Sequence, residues 1–314
     1  YISFQSDYLE SLLLLPLFGC QERERYGIMF ISPTSSQVFE YAVKHKSEFI
    51  SPTFKTHIWI TDAKGKHQRK IEGSYDVVED VQVSPGGEKI IINQWVREKG
   101  EPGSCTEGET GTWIMDIDGK NFEKIAECGF YSWLTDEKII LSGKDDEIYI
   151  MDIRERKPIK LNLPKKGGGL RVSSDGSKIL FCACNEKDNP DIYMVDIDGK
   201  NLINLTNSES KERFPCFSPD GKKIAFVSNK DRKLGNIWIM DLEERTHRRL
   251  TKFGDDGFIF PSNIGWSPDG KKIIFQVIGG KPKKGLIYII NTDGTGLKKL
   301  AEGVSPSWLP ILKK

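Results

Sequence analysis

The chain repeats itself, and the repeat limits what it can become. Residues 217–251, FSPDGKKIAFVSNKDRKLGNIWIMDLEERTHRRLT, form one unit. A tight turn (Ser218-Pro219-Asp220-Gly221) leads into an apolar strand. After a polar loop come a second strand (IWIM), a turn after Asp241, and a strand ending at Leu250-Thr251. Self-similarity at a fixed period means stacked, equivalent units, each unable to bury its apolar faces alone.

The second strand of this unit recurs with its turn in six copies: HIWITDAKGK (57–66), TWIMDIDGK (112–120), EIYIMDIRER (147–156), DIYMVDIDGK (191–200), NIWIMDLEER (236–245) and LIYIINTDGT (286–295). The opening turn recurs as VSPGGEK at Val83, WLTDEK at Trp133, VSSDGSK at Val172, FSPDGKK at Phe217 and WSPDGKK at Trp266, with SPSWLP at 305–310. The strand after each turn reads KIIIN, KIILS, KILFC, KIAFV or KIIF. The spacing of about 40–50 residues is that of a four-stranded propeller blade. These strands are apolar on both faces, as expected where each sheet is covered on either side. A helical reading fails, because the runs are short, rich in Ile, Val and aromatics, and bounded by Gly, Pro and Asp.

The ends complete the count. The C-terminal SPSWLP is a first strand with no second after it. Residues 27–32, GIMFIS, are a second strand with no first before it. Joined, they make one blade and remove an exposed sheet edge. The expected fold is all-β: a six-bladed β-propeller closed by pairing the N- and C-terminal strands.

The SPDGKKIAF and IWIMD segments resemble the repeats of TolB-like six-bladed propellers (the WD40-like PD40 repeat family), which also serve as the propeller domains of prolyl oligopeptidase-type peptidases. The resemblance covers residues 27–310 and bears on fold more than on function, since one fold hosts many functions. The segment ahead of the repeats is not expected to hold the N-terminal α/β domain that accompanies the propeller in TolB proteins.

Ahead of the repeats, residues 10–22 read ESLLLLPLFGCQE. An apolar run ends in Gly19-Cys20 and turns polar at once, which resembles the lipobox of bacterial lipoproteins. In that family the Cys becomes N-terminal and carries the lipid. The resemblance implies a signal peptide over residues 1–19, lipid attachment at Cys20, a linker over 20–26 and a propeller over 27–314. Gln21, in place of Asp after the Cys, implies outer-membrane rather than inner-membrane sorting. The run departs from signal-peptide pattern in having Asp7 and Glu10 but no Lys or Arg before it. The alternative is a short apolar helix packed on the propeller with Cys20 buried.

Forty-six basic and 45 acidic residues leave a net charge of +1, so no field of one sign argues for nucleic acid as a partner. No apolar run approaches the roughly 18–20 residues of a membrane-spanning helix. Membrane association is expected only through the anchor, and the propeller is expected to be monomeric.

Function is expected where the copies differ. Insertions at 33–56 (including SSQVFEYAVKHKSEF, which reads as a short helix), 94–111 and 252–263 depart from the repeat. In an up-and-down blade, loops between the second and third strands share a face with loops between blades, so all three gather around one channel mouth. Trp95, Tyr131, Phe258 and Phe260 are the candidate binding residues there, and loops on a rigid scaffold commonly carry binding. Cys105 and Cys128 fall on the same face and can form a disulfide. Cys182, Cys184 and Cys216 read as apolar packing residues. Asp116-Ile-Asp118-Gly119 and Asp196-Ile-Asp198-Gly199 look like the start of a calcium loop but lack its further ligands, and are read as hairpin turns. There is no GxSxG elbow, phosphate loop or HExxH, and no metal or cofactor is expected. The leading expectation is a non-catalytic module of the cell envelope, in the periplasm, binding a protein or peptide. The alternative is a propeller enzyme, a polysaccharide lyase or glycosidase, with its site at the channel mouth.

Overall fold

The computed structural model of the chain describes residues 27–33, 56–71, 75, 77–96, 109–127, 131–143, 147–163, 167–231, 235–253, 257–258, 264–279 and 284–309. Among them every regular element is a strand. Blade 1 contains β1 (Gly27–Pro33), β2 (Thr56–Asp62) and β3 (Arg69–Lys70). Blade 2 is β4 (Val77–Val83), β5 (Lys89–Val96), β6 (Glu109–Asp116) and β7 (Glu123–Ala126). Blade 3 is β8 (Tyr131–Trp133), β9 (Lys138–Ser142), β10 (Ile148–Asp152) and β11 (Pro158–Leu161). Blade 4 is β12 (Gly168–Val172), β13 (Lys178–Cys184), β14 (Pro190–Asp196) and β15 (Ile203–Asn204). Blade 5 is β16 (Glu212–Phe217), β17 (Lys223–Ser228), β18 (Asn236–Asp241) and β19 (His247–Arg249). Blade 6 has two short inner strands, β20 (Gly257–Phe258) and β21 (Gly265–Trp266), then β22 (Lys272–Gly279), β23 (Lys284–Asn291) and β24 (Lys298–Glu302). The last strand, β25 (Val304–Leu309), returns to blade 1 and pairs antiparallel with β1, giving the order β25-β1-β2-β3. Six antiparallel sheets result, and the ring closes through the two ends of the chain as the repeats predict. The innermost strands β25, β4, β8, β12, β16 and β21 each touch the next around the ring.

The recurring residues have local reasons. In the turn between β16 and β17, Ser218 Oγ donates to Asp220 Oδ1 at 2.6 Å and accepts the Lys223 amide at 2.9 Å, while Gly221 takes φ 69°. Ser173 with Asp175 and Ser267 with Asp269 repeat this arrangement in blades 4 and 6. In blades 2 to 5 the Lys that opens the second strand lies opposite the Asp that ends the third. Lys89 reaches Asp116 at 3.0 Å, Lys178 reaches Asp196 at 2.6 Å, and Lys223 bonds Asp241. These pairs are part-exposed and screened by solvent, so they add little stability; their main effect is to hold register.

The strands are buried on both faces. Along β17, Ala225 and Val227 pack with Ile273 and Phe275 of blade 6. The alternate residues Ile224 and Phe226 pack with Leu180 and Ile192 of blade 4. One strand thus feeds two cores, and the hydrophobic effect that builds each blade also glues it to both neighbours.

Candidate functional site

The ring has two unlike faces. One is made of the tight turns between first and second strands and between third and fourth strands. The other carries the connections between second and third strands and between blades. Three of the sequence-predicted residues lie at this second face by backbone position. Trp95 is near the end of β5, opposite Val77 and Thr110. Tyr131 is the first residue of β8, opposite Leu141. Phe258 lies in β20, opposite Ile278 at the end of β22. Phe260 is outside the described residues, as are Cys20, Cys105, Cys128, the helix-like stretch of the first insertion, residues 1–19 and the linker.

The insertions are shorter than the sequence suggests, because their ends belong to the ladders. Pro33 pairs with Thr56, so the first covers 34–55. Val96 pairs with Glu109, so the second covers 97–108. The third, 252–263, has Phe253 as its second residue, whose ring sits against Phe275 at 5.8 Å and Tyr288 at 6.1 Å, packed on the blade 5–6 core.

On the same face, between blades 4 and 5, two carboxylates are shut inside the protein. Asp191, which enters β14, is 0% exposed, and Glu212, which opens β16, is 2% exposed. Asp191 Oδ2 accepts from Asn185 Nδ2 at 3.0 Å and Asn204 Nδ2 at 2.7 Å. Glu212 accepts from Ser208 Oγ at 2.9 Å and Ser228 Oγ at 2.8 Å. Burial pushes the Glu212 carboxyl above its ordinary range and Asp191 adds to this, while the two serine hydroxyls oppose it. The network ties a second-to-third-strand loop, an inter-blade loop and two strands, which fixes this region of the rim. Its equivalent between blades 5 and 6 is neutral: Asn236 accepts from Thr251 Oγ1 at 3.1 Å.

The inner strands beside it are kinked. β12 shifts register between Gly168 and Arg171, with Gly169 at φ 70°. β16 shifts between Arg213 and Cys216, with Phe214 at φ 55°. A bulky residue in that region is uncommon, and bulges of this kind re-aim side chains at sheet edges and sites. On the turn face, a cleft of about 690 Å³ opens between blades 5 and 6, lined by Asp220, Asp241, Glu244, His247, Arg248 and Trp266 among others. The first three carboxylates are already bonded within blade 5, to Ser218, Lys223 and Thr246.

The repeats and the ring they close match a known family. The family model described as the TolB beta propeller domain (PD40) matches residues 112–310. The chain belongs to this family. The TolB-type propeller is 34% identical over 128 residues to the protein TolB homolog of Chlorobaculum tepidum, spanning 41% of this chain and 27% of that protein. It is 34% identical over 100 residues to the Tol-Pal system protein TolB of Alcanivorax borkumensis, spanning 31% and 22%. These matches span less than a third of either relative's length. In structure it resembles TolB from Acinetobacter baumannii, with a TM-score of 0.68 at 21% identity over 91% of this chain and 67% of that one; this likeness bears on the fold.

The TolB-type propeller also gives the local setting of the DIDG segments and of the cysteines. The DIDG segments are turns. Gly119 takes φ 91°, its amide bonds the Asp116 carbonyl at 2.9 Å, and Asp116 is held below its usual carboxylate range by Asn121 and Lys89. Among the described residues no three His, Cys, Asp or Glu side chains form a metal-holding group. Of the cysteines, Cys216 is core, with burial pushing its thiol up to about 12. Cys182 is part-buried at about 11 for the same reason, against the Phe214 amide. Cys184 departs from the packing expectation: it ends β13 opposite Pro190 and is exposed.

Sequence reasoning passed over Asp191 and Glu212 because both sit inside the repeat. The signal was present five residues before the Asp or Asn that ends each third strand, a position that varies as His57, Gly111, Glu147, Asp191, Asn236 and Leu286.

Proposed function

We propose that this chain is a non-catalytic binding scaffold of the bacterial cell envelope, held in the periplasm by lipid on Cys20 and taking a protein or peptide on the face that carries its insertions. The observation that carries the reading is the contrast between faces. The turn face repeats one hydrogen-bonded formula in blades 4, 5 and 6, whereas the other face carries the strand ends that lead into the insertions, the register shifts of the inner strands and the backbone positions of Trp95, Tyr131 and Phe258. The Tol-Pal name of one relative supports an envelope protein as partner.

The enzyme reading calls for carboxylates or histidines open to a substrate in the channel mouth. The buried pair Asp191 and Glu212 is sealed and bonded on all sides, which suits a rim brace better than an acid–base pair. Affinity capture from envelope extract tests the binding reading. The full chain is compared with one whose residues 97–108 are replaced by a short Gly-Ser link and with a Phe258→Ala/Phe260→Ala variant. Loss of a specific partner is expected; an unchanged partner set sinks the proposal. Metabolic labelling with a fatty-acid probe tests the anchor, with signal lost in Cys20→Ala. A Cys105–Cys128 disulfide would appear as two fewer titratable thiols in the oxidised, denatured protein.

A further inference from the structure

The turn between third and fourth strands is built the same way in four blades but carries opposite charge in one of them. In blades 2 and 4 it reads Asp116-Ile117-Asp118-Gly119-Lys120 and Asp196-Ile197-Asp198-Gly199-Lys200, and in blade 6 Asn291-Thr292-Asp293-Gly294-Thr295. In blade 1 it reads Asp62-Ala63-Lys64-Gly65-Lys66. The backbone is shared. The glycines take φ 91°, 82°, 93° and 77°, and each glycine amide bonds the carbonyl three residues back at 2.8–2.9 Å. Only the third residue changes sign. In blades 2 and 4 that aspartate neutralises its own turn, Asp118 pairing with Lys120 at 2.9 Å and Asp198 with Lys200 at 3.0 Å. Lys64 removes that partner from Lys66 and adds a second cation. Blade 3 also has a cation there, but Arg154 pairs with Glu137 at 3.6 Å, and Arg156 nearby pairs with Glu123.

The basic turn does not stand alone. Lys298 of β24 donates to the Lys64 carbonyl at 3.1 Å, joining the outer strand of blade 6 to this turn. Lys64, Lys66, Arg69, Lys70, Lys298 and Lys299 are all exposed on these two joined elements, Lys299 pairing with Glu302 at 3.5 Å, and Leu297 next to Lys298 is 48% exposed. Among the described residues Lys64, Lys66 and Arg69 make no ion pair. The nearest acid, Asp62, is committed to the amides of Lys64 and Lys66 and to His67.

The chain enters the propeller at this surface. Gly27, the first residue of β1, lies opposite Asp62, which starts the basic turn. Six residues separate Cys20 from Gly27, a reach of at most about 25 Å. We propose that the blade 1 turn and the blade 6 outer strand form a basic seat that rests on anionic phospholipid headgroups. The seat uses the Cys20 anchor proposed above for proximity, and its charge acts without it. Bound this way, the propeller lies with its turn face toward the lipid and its insertion-bearing face turned away, open to a partner. Such attraction acts within about 8 Å at physiological ionic strength, so it orients a protein already held close.

The test uses the full chain carrying Cys20→Ala, so that lipid on Cys20 plays no role, and vesicles of phosphatidylcholine alone or with 30 mol % phosphatidylglycerol. Sedimentation is expected with the anionic vesicles only and is expected to weaken with salt. Lys64→Asp, which writes the blade 2 and blade 4 turn into blade 1 and therefore keeps the fold, is expected to weaken binding by about tenfold or more. Arg154→Asp on blade 3 is the control and should leave it unchanged. Absence of binding to anionic vesicles, or equal loss in Lys64→Asp and Arg154→Asp, overturns the seat. Binding to soluble poly-glutamate without binding to vesicles overturns it in favour of an acidic protein partner. Failure of the anchor reading is seen separately, as absence of the fatty-acid label on the unmodified chain.

Discussion

Ile28, in the first described strand, lies directly opposite Trp308, in the last, and the indole Nε1 of Trp308 donates across to the Gly265 carbonyl of blade 6 at 3.0 Å. One side chain therefore fastens the two ends of the chain to each other and to the neighbouring blade. Ile28, Phe30 and Trp308 share a core with Ile274, Ile287 and Ile289 of blade 6. Trp308→Ala is expected to cost about 3–5 kcal/mol, as for other buried aromatic truncations. Urea unfolding followed by far-ultraviolet circular dichroism measures it. A loss under 1 kcal/mol would mean that the terminal strand is not within the cooperative unit.

Two glycines with similar backbone angles should respond differently to the same change. Gly199 has φ 82°, and a Cβ there would come within 2.4 Å of the Asn162 carbonyl oxygen, while Gly221 has φ 69° and open space around it. Gly221→Ala is expected to cost about 1 kcal/mol, from the left-handed backbone alone. Gly199→Ala should cost about 2 kcal/mol or more, because backbone on the neighbouring blade must move as well. Paired denaturation curves give the difference, and equal losses would contradict the described approach of blade 4 to blade 3.

The buried Glu212 makes a prediction about pH. Its folded carboxyl titrates above the ordinary value of 4.5, chiefly through burial. The folded state then holds the proton more tightly than the unfolded chain does. The stability this contributes is complete below about 4.5 and is lost as pH rises through the folded value. Glu212→Gln keeps the shape without the charge. Its stability relative to the parent should therefore grow on going from pH 4.5 to pH 7, and a constant difference would refute the raised titration.

Asp175 runs the other way. Hydrogen bonds from Ser173 and Ser177 hold it down to about 2. Its contribution is present above 3.8 and is lost as pH falls through about 2. Carboxyl chemical shifts followed by NMR should place its midpoint near that value. Ser173→Ala should move the midpoint upward, since the Ser173 hydroxyl, at 2.6 Å, is the leading cause.

The scaffold is readable from sequence because its rules are local. Lys223 and Asp241 recur because a second strand must begin opposite the end of a third, and Ser218 with Asp220 because a tight turn needs their hydrogen bonds. Closure was equally legible, since residues 27–32 and 305–310 each lacked the strand that the other supplied. The site was harder to read. Asp191 and Glu212 meet only because blades 4 and 5 are neighbours, and no local pattern announces a contact between loops of different blades. Phe253 looked like insertion and proved to be core, because an aromatic beside a long loop reads the same whether it faces a partner or its own blade. Lys64 departs from the repeated turn by one letter, but the basic surface it belongs to depends on Lys298, which joins it from another blade.

The pairing of β1 between β25 and β2 also governs how the molecule bears load. Gly27 begins a strand that is hydrogen-bonded along both edges, and a pull applied there runs along the strand axis. The bonds of two ladders would then have to slip together in shear, rather than break in succession as at a frayed edge. A tether at this end of the chain would therefore engage the ring at one of its mechanically strongest positions, and a partner gripping the opposite face could be drawn against it without unravelling the blade between them.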